Sequence, residues 1–114
     1  MPYFEVKTNA AVEGGTKEAL CAELGRIVEL IPGKSAGWVM THLEDRTNLH
    51  FAGDAAKPAA VVLFRSMGEL EAKYYDLLTA EICASVNKLL SIEQDRIYVI
   101  YASSEHWGWN GTNF

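Results

Sequence analysis

The sequence predicts an α+β domain in which two β-α-β repeats form a four-stranded mixed sheet with both helices on one face. The chain has 114 residues, which is enough for a single domain over residues 1–114 and too few for two. Each half of the chain shows a strand pattern, a long amphipathic helix pattern and a second strand pattern, in that order. The helices leave the other face of the sheet uncovered, and self-association is the simplest way to bury it.

In the first half, alternating apolar residues predict a strand over residues 2–7. Thr16 follows a glycine pair and is expected to cap a helix. Spacings of three and four place the apolar residues of this helix on one stripe, formed by Leu20, Leu24, Ile27, Val28 and Ile31. The Pro-Gly pair at 32–33 is expected to end the helix, and residues 37–43 predict a second strand.

The second half repeats this plan. A continuous apolar run over residues 59–64 predicts a buried third strand. Ser66 and Glu69 have the spacing of a capping box, which predicts the start of a second helix that continues to about Leu90. Its apolar face consists of Tyr75, Leu78, Ile82, Val86 and Leu89. The remaining patterns predict a fourth strand at residues 96–101 and short strands at 48–51 and 107–109.

Composition excludes several classes of function. The net charge is −5 and the basic residues are scattered, so no nucleic-acid-binding surface is expected. The sequence has no apolar targeting run and no window of transmembrane length, which favours a cytoplasmic protein without a membrane span. Cys21 and Cys83 are interpreted as reduced core cysteines. The histidines and carboxylates lack metal-ligand spacing, so neither a metal nor a cofactor is expected.

The predicted topology brings three segments to one end of the sheet. The loop after the first helix contains Lys34 and returns to the end where Pro2 begins the first strand. If the third strand is antiparallel to the first, residues 66–68 reach the same end, as the start of a helix with free backbone N–H groups. Tyr98 begins the fourth strand at the opposite end. It can therefore join this site only from a neighbouring subunit.

Pro2 is a candidate acid/base if Met1 is removed, as is ordinary for a methionine that precedes a small residue. Removal exposes a secondary amine, whereas with Met1 attached the nitrogen of Pro2 is an amide. An α-amino group has a pKa of about 8, and the charge of Lys34 and an apolar wall would lower that pKa. The amine could then act as base and as conjugate acid near neutral pH. Taken singly, Pro2 is more often a rigid strand start and Lys34 a solvated loop residue.

Five motifs occur in order along the whole chain: Met-Pro-x-Phe-x-Val-x-Thr-Asn at residues 1–9, Gly-Lys at 33–34, Ser-Met-Gly at 66–68, Asp-Arg-Ile-Tyr at 95–98 and Gly-Trp-Asn at 108–110. Together they resemble the macrophage migration inhibitory factor family of the tautomerase superfamily. The resemblance implies a homotrimer with an active site at each subunit interface. It also implies keto–enol tautomerisation of a phenylpyruvate-like 2-keto acid, an isomerase reaction that requires no cofactor.

The resemblance further implies a role for each matching residue. Pro2 is the acid/base, Lys34 binds the substrate carboxylate, and the backbone around Met67 contacts the substrate. Tyr98 enters from the neighbouring subunit. The pocket is completed by aromatic residues at Trp38, Trp109 and Phe114.

The sequence departs from the family pattern at two places. Ile100 stands where the family cytokine has an asparagine that points into the site, which makes the pocket more apolar. Residues 58–62 lack the C-x-x-C motif of the cytokine, so no thiol oxidoreductase activity is expected.

Two alternative functions remain open. The trimer could act chiefly as a signalling ligand for a receptor protein, secreted by a non-classical route. It could also hydrate or decarboxylate small acids with the same proline. These reactions generally need further arginine and carboxylate groups, and the sequence places only Arg65 near the predicted cluster and no Asp or Glu.

Overall fold

The secondary structure follows the predicted β-α-β-β-α-β order in the computed structural model, which describes residues 1–114. The first repeat consists of β1 (Pro2–Thr8), α1 (Gly14–Val28) and β2 (Met40–Glu44). The second consists of β3 (Ala60–Met67), α2 (Ala72–Leu90) and β4 (Ile97–Ser104). A C-terminal hairpin adds two short strands, β5 (Gly108–Trp109) and β6 (Thr112–Asn113).

The four long strands form one mixed sheet in the order β2-β1-β3-β4. Each repeat contributes a parallel pair, β1 with β2 and β3 with β4, and the two repeats meet through the antiparallel pair of β1 and β3. In that pair Pro2 lies opposite Ser66 and Thr8 lies opposite Ala60. The predicted mixed four-stranded sheet is confirmed.

A single hydrophobic core lies between the sheet and the two helices. Alternate residues of β1 and β3 face the helices and are buried, and the rings of Phe4 and Phe64 pack with their centroids 4.9 Å apart. The helices contribute their predicted stripes, whose fully buried members include Leu20, Leu24, Ile27, Val28, Leu78, Ile82 and Val86. Because one core contains both stripes, both helices cover the same face of the sheet.

Both predicted helix starts are wrong. Helix α1 begins at Gly14 rather than at Thr16, with Glu13 at the N-cap position. Helix α2 begins at Ala72, because β3 continues through Ser66 to Met67 and pairs with β4 over its whole length. The hydroxyl of Ser66 donates a hydrogen bond to the carbonyl of Gly68 (2.9 Å) instead of capping a helix. Strand pairing has thus prevailed over a local capping signal.

The predicted second strand and the two predicted short strands also differ from the structure. Residues 36–38 form a 3-10 turn, capped by the hydroxyl of Ser35, which accepts from the N–H of Gly37 (3.1 Å), so β2 begins at residue 40. Residues 48–51 are not a strand; only Phe51 makes a bridge, with Asp54. The predicted strand at 107–109 is present in shortened form as β5.

The structure contains no disulfide and no membrane-spanning helix. Cys83 is buried, Cys21 is half-buried, and neither forms a disulfide. Burial raises the pKa of the Cys83 thiol, which makes that thiol a weak nucleophile. No helix is long and apolar enough to cross a membrane.

The sheet face opposite the helices, which we call the open face, is uncovered in the single chain. Large apolar side chains are exposed on it, notably Met40, Tyr98 and Ile100. Charged residues lie among them, and the ammonium of Lys7 is 2.8 Å from the carboxylate of Glu5. Exposed apolar area of this kind is typical of a surface that another protein chain covers.

Phe64→Ala is expected to lower the free energy of unfolding by about 3–5 kcal/mol, because the fully buried ring packs on Phe4 and removing it leaves a cavity in the core. Leu77→Ala is the matched control: its side chain is 37% exposed on α2, and the expected loss is below about 1 kcal/mol. Urea unfolding followed by circular dichroism measures both, at one protein concentration so that any self-association contributes equally. Equal losses for the two variants would contradict this placement of the core.

Candidate active site

The N-terminus is fixed at the end of the sheet where β1 begins. Pro2 is buried in the ladder opposite Ser66. The backbone N–H of Met67 donates to the carbonyl of Met1 (3.3 Å), and the N–H of Gly68 donates to the carbonyl of Ser104 (2.9 Å). The end of β3 therefore lies directly beside Pro2. No helix N-terminus lies there, contrary to the sequence-based expectation, because α2 begins only at residue 72.

Lys34 lies close enough to act on the N-terminal amine. Its loop follows α1, and Gly33 takes a φ of +80°, which allows the chain to turn back toward the sheet. Burial lowers the pKa of the Lys34 ammonium. Burial and, second, the charge of Lys34 lower the pKa of the Met1 amine. The structure thus brings the N-terminus, Lys34 and Met67 to one place.

Three aromatic side chains form a cluster beside this place, which we call the aromatic cluster: Trp38, Trp109 and Phe114. Trp38 meets Trp109 edge-on with centroids 4.9 Å apart, and Trp109 stacks on Phe114 at 6.0 Å. Trp38 is carried by the 3-10 turn after Lys34, and the other two by the C-terminal hairpin. The hairpin is closed by the N–H of Phe114, which donates to the carbonyl of Trp107 (3.0 Å).

A cavity of about 870 Å³ connects the N-terminus to the aromatic cluster. Among the predicted residues, Pro2, Trp38 and Trp109 line it. The cavity is also lined by Arg65, which the sequence placed near the site, and by residues that the sequence did not indicate, namely Tyr3, Glu5, Met40 and Trp107. Trp107 could have been found, because alternation in a strand places it on the same side as Trp109. The others require the strand registers, in which Tyr3 lies between Met40 and Arg65.

Glu5 overturns the expectation that no carboxylate lies near the site, since it lines the cavity together with Arg65. Its carboxylate accepts a hydrogen bond from Lys7, which is the main reason that the pKa of Glu5 is lowered. The charges of His42 and Arg65 act in the same direction. Glu5 is therefore an ionised and paired group on the open face, whereas Pro2 lies on the helix side of β1.

Tyr98 lies at the other end of the sheet. It is opposite Val61, five residues along β3 from Ser66, the partner of Pro2. Five residues of strand span about 16 Å. Ile100 also lies outside the main cavity and lines a smaller one of about 160 Å³ on the open face. The site of a single chain thus lacks both residues, as the sequence analysis expected for Tyr98.

The structure contains no group of three or more His, Cys, Asp or Glu side chains that could hold a metal ion. The groups available for chemistry at the site are an amine, the ammonium of Lys34, the side chains of Glu5 and Arg65, and aromatic walls.

Comparison with known proteins gives a consistent result. The family model described as macrophage migration inhibitory factor (MIF) matches residues 1–114. A macrophage migration inhibitory factor homolog of Trichinella spiralis is 29% identical over 116 residues, covering all of both chains. The crystal structure of Leishmania major MIF2 is similar with a TM-score of 0.93 and 37% identity, covering 100% of this chain and 97% of its own. A structure of the Trichinella spiralis protein gives 0.81 and 26%, covering 98% and 99%.

Lys34→Gln is expected to raise the pKa of the Met1 amine, because it removes a positive charge that disfavours the protonated form. The rise should be smaller than the whole depression, since burial is the larger cause. The chemical shift of a ¹³C-labelled Met1 α-carbon, followed against pH in chains shown by intact mass to retain Met1, reports this pKa. Lys73→Gln removes an exposed cation near Glu71 and should leave it unchanged. An unchanged or lower pKa in Lys34→Gln would refute the coupling.

Proposed function

Because the chain belongs to the macrophage migration inhibitory factor family of the tautomerase superfamily, we propose that it is a keto–enol tautomerase of phenylpyruvate-like 2-keto acids. The observation that carries this proposal is the position of the N-terminus, which is partly buried, lies near Lys34 and lines a cavity with aromatic walls. Partial burial and a neighbouring cation both favour the neutral form of an amine and so lower its pKa.

Loss of Met1 would activate the site in two ways. It converts the amide nitrogen of Pro2 into a secondary amine. It also removes the Met1 carbonyl, so the N–H of Met67 that donates to it becomes free to contact a substrate. Both changes occur where the start of β1 meets the end of β3, since Pro2 lies opposite Ser66.

In the proposed reaction Lys34 binds the carboxylate of the 2-keto acid and the aromatic cluster holds its ring. The Pro2 amine removes a proton from carbon 3, and the electrons of that C–H bond form the carbon–carbon double bond of the enol. The carbonyl oxygen takes a proton from water as its double bond to carbon is lost, and protonated Pro2 gives its proton to the hydroxide that remains. In the reverse direction protonated Pro2 returns the proton to carbon 3. The amine is regenerated in each full cycle, and no oxidant or cofactor is consumed.

We further propose that Tyr98 completes the site of a neighbouring subunit. Proteins of this family are typically homo-oligomers, and a homotrimer is the assembly proposed for this chain. The proposal is supported by the distance between Tyr98 and Pro2 within one chain and by the exposure of Tyr98, which is 61%. Ile100 lies on the same face of β4 as Tyr98. It would bring an apolar side chain to the neighbouring site, at the position where the family cytokine has a hydrogen-bonding asparagine.

Hydration or decarboxylation is the weaker alternative, although Glu5 and Arg65 line the cavity. A carboxylate that assists proline as a second acid/base needs a raised pKa, and the hydrogen bond from Lys7 lowers that of Glu5 instead.

Pro2→Gly is expected to reduce kcat/KM for the ketonisation of enol-phenylpyruvate at least about tenfold, because a primary amine replaces the held ring nitrogen. The matched control is the unaltered sequence with Met1 retained, in which the Pro2 nitrogen is an amide and activity should fall as far. Intact mass identifies each form. If the processed protein shows no turnover, the fold and family stand, the tautomerase proposal fails, and the receptor-ligand alternative gains support.

A subunit-mixing experiment tests the trans position of Tyr98. Chains with Pro2→Gly and chains with Tyr98→Phe are coexpressed in equal amounts, and mixed trimers are isolated by two affinity tags. A site is intact when Pro2 comes from the Tyr98→Phe chain and Tyr98 from the Pro2→Gly chain, which cyclic symmetry gives at about a third of the sites of every mixed trimer. We therefore expect activity well above that of either homotrimer. Activity equal to the mean of the two homotrimers would place both residues in one chain's site and reject the proposal.

A further inference from the structure

The geometry points to Phe51 as a positioning residue that orients Tyr98, and this inference rests on the proposed function in which Tyr98 completes a neighbouring site. We infer that Phe51, held in place by a tight turn and by Arg96, fixes the direction of the Tyr98 phenol. None of these contacts involves Pro2, Lys34 or the aromatic cluster. The role would therefore be separate from substrate binding within the same chain.

A two-residue turn fixes the backbone of Phe51. The N–H of Phe51 donates to the carbonyl of Asp54 (2.9 Å), and the N–H of Asp54 donates to the carbonyl of Phe51 (3.0 Å). The two residues between them, Ala52 and Gly53, have φ values of +52° and +78°. Positive φ at both positions defines a type I′ geometry, the tightest reversal of an extended chain. Alanine is rarely found there, so the surrounding contacts must hold the turn.

Arg96 supplies those contacts from the 3-10 turn that precedes β4. Its side chain is only 11% exposed. Its Nε donates to the carbonyl of Pro58 (2.8 Å), and Nη2 donates to the carbonyls of Lys57 (3.1 Å) and Asp54 (3.2 Å). The guanidinium carbon also lies 5.2 Å from the centroid of the Phe51 ring, within the range of a cation–π contact.

A second polar side chain, from the residue that follows β1, holds the same loop. The amide nitrogen of Asn9 donates to the carbonyls of Leu49 (3.1 Å), Ala55 (3.2 Å) and Lys57 (3.0 Å). The loop therefore cannot shift without breaking hydrogen bonds on both sides. These hydrogen bonds hold the loop that carries Phe51.

The ring of Phe51 is the surface against which Tyr98 packs. Their centroids are 5.4 Å apart with planes at 69°, an edge-to-face arrangement that aromatic pairs prefer. Tyr98 is otherwise more than half exposed on the open face. An exposed tyrosine on an edge strand samples several rotamers. A packed neighbour at this distance selects one of them.

The two side chains that contact the Phe51 ring come from one short segment of the chain. Arg96 and Tyr98 are two residues apart at the start of β4, and Phe51 lies between their side chains. The phenol is thus oriented by contacts within one subunit before any neighbour arrives. Preorganisation of this kind lowers the entropic cost of placing a hydroxyl in a shared site.

The test is a double-mutant cycle in the enol-phenylpyruvate assay. Phe51→Leu keeps an apolar side chain but removes the ring, and it should lower kcat/KM about fivefold while sedimentation velocity shows an unchanged assembly. In the Tyr98→Phe background the same change should cost less than about twofold, because the hydroxyl to be oriented is absent. Equal costs in both backgrounds would mean that Phe51 acts only on stability or assembly, and would overturn the inference.

A second variant and an NMR measurement test the inference where the first variant or the enzyme assay fails. If Phe51→Leu does not assemble, Arg96→Lys replaces it, since lysine keeps the charge but lacks the fork that holds the turn, and the same dependence on Tyr98 is expected.

If the wild-type protein shows no turnover, or Pro2→Gly is fully active, the proposed function has failed independently of Phe51. Fluorotyrosine NMR then decides, with the Tyr98 line identified by its loss in Tyr98→Phe. Exposed side chains exchange rotamers within nanoseconds, so a narrower Tyr98 line in Phe51→Leu supports the orienting contact, and an unchanged line width rejects it.

Discussion

Seven residue pairs join β1 to β3 in an antiparallel ladder, from Pro2 opposite Ser66 to Thr8 opposite Ala60. This ladder is the only connection between the two halves of the sheet, and its inner side chains form the floor of the core. It also determines the site, because it anchors the first residues of the chain, which are frayed in most domains, between two paired strands. An N-terminal amine becomes a usable chemical group only when its position is fixed in this way.

The helices and the order of the strands could be predicted because burial imposes a period on the sequence. Leu20, Leu24 and Ile27 repeat at helical spacing, and the third strand is a continuous apolar run, so either pattern identifies its element without knowledge of the neighbours. The boundaries of helices and strands depend instead on competition between local capping signals and strand pairing. Ser66 and Glu69 carry a valid local capping signal, yet Ser66 pairs with β4 because a buried strand gains more from its ladder than from an early helix.

The site could be predicted as far as topology alone determines it. The β-α-β connection places Lys34 at the start of β1 and Tyr98 at the far end of the sheet, whatever the side chains do. The residues that line the rest of the cavity depend on register, which the sequence does not reveal. Glu5 and Arg65 reach the cavity only because Tyr3 pairs with both Met40 and Arg65, and a slip by one residue would turn each of them to the other face.

The same register links chemistry to assembly. Burial is the larger cause of the lowered pKa of the N-terminal amine, ahead of the charge of Lys34. The cavity beside that amine is bounded in a single chain by side chains that are still about half exposed, such as Trp38 and Trp109. A subunit that covers the open face would remove more water from this region and lower the pKa of the amine further. Assembly would then do more than deliver Tyr98, because it would also complete the apolar environment on which a neutral Pro2 depends.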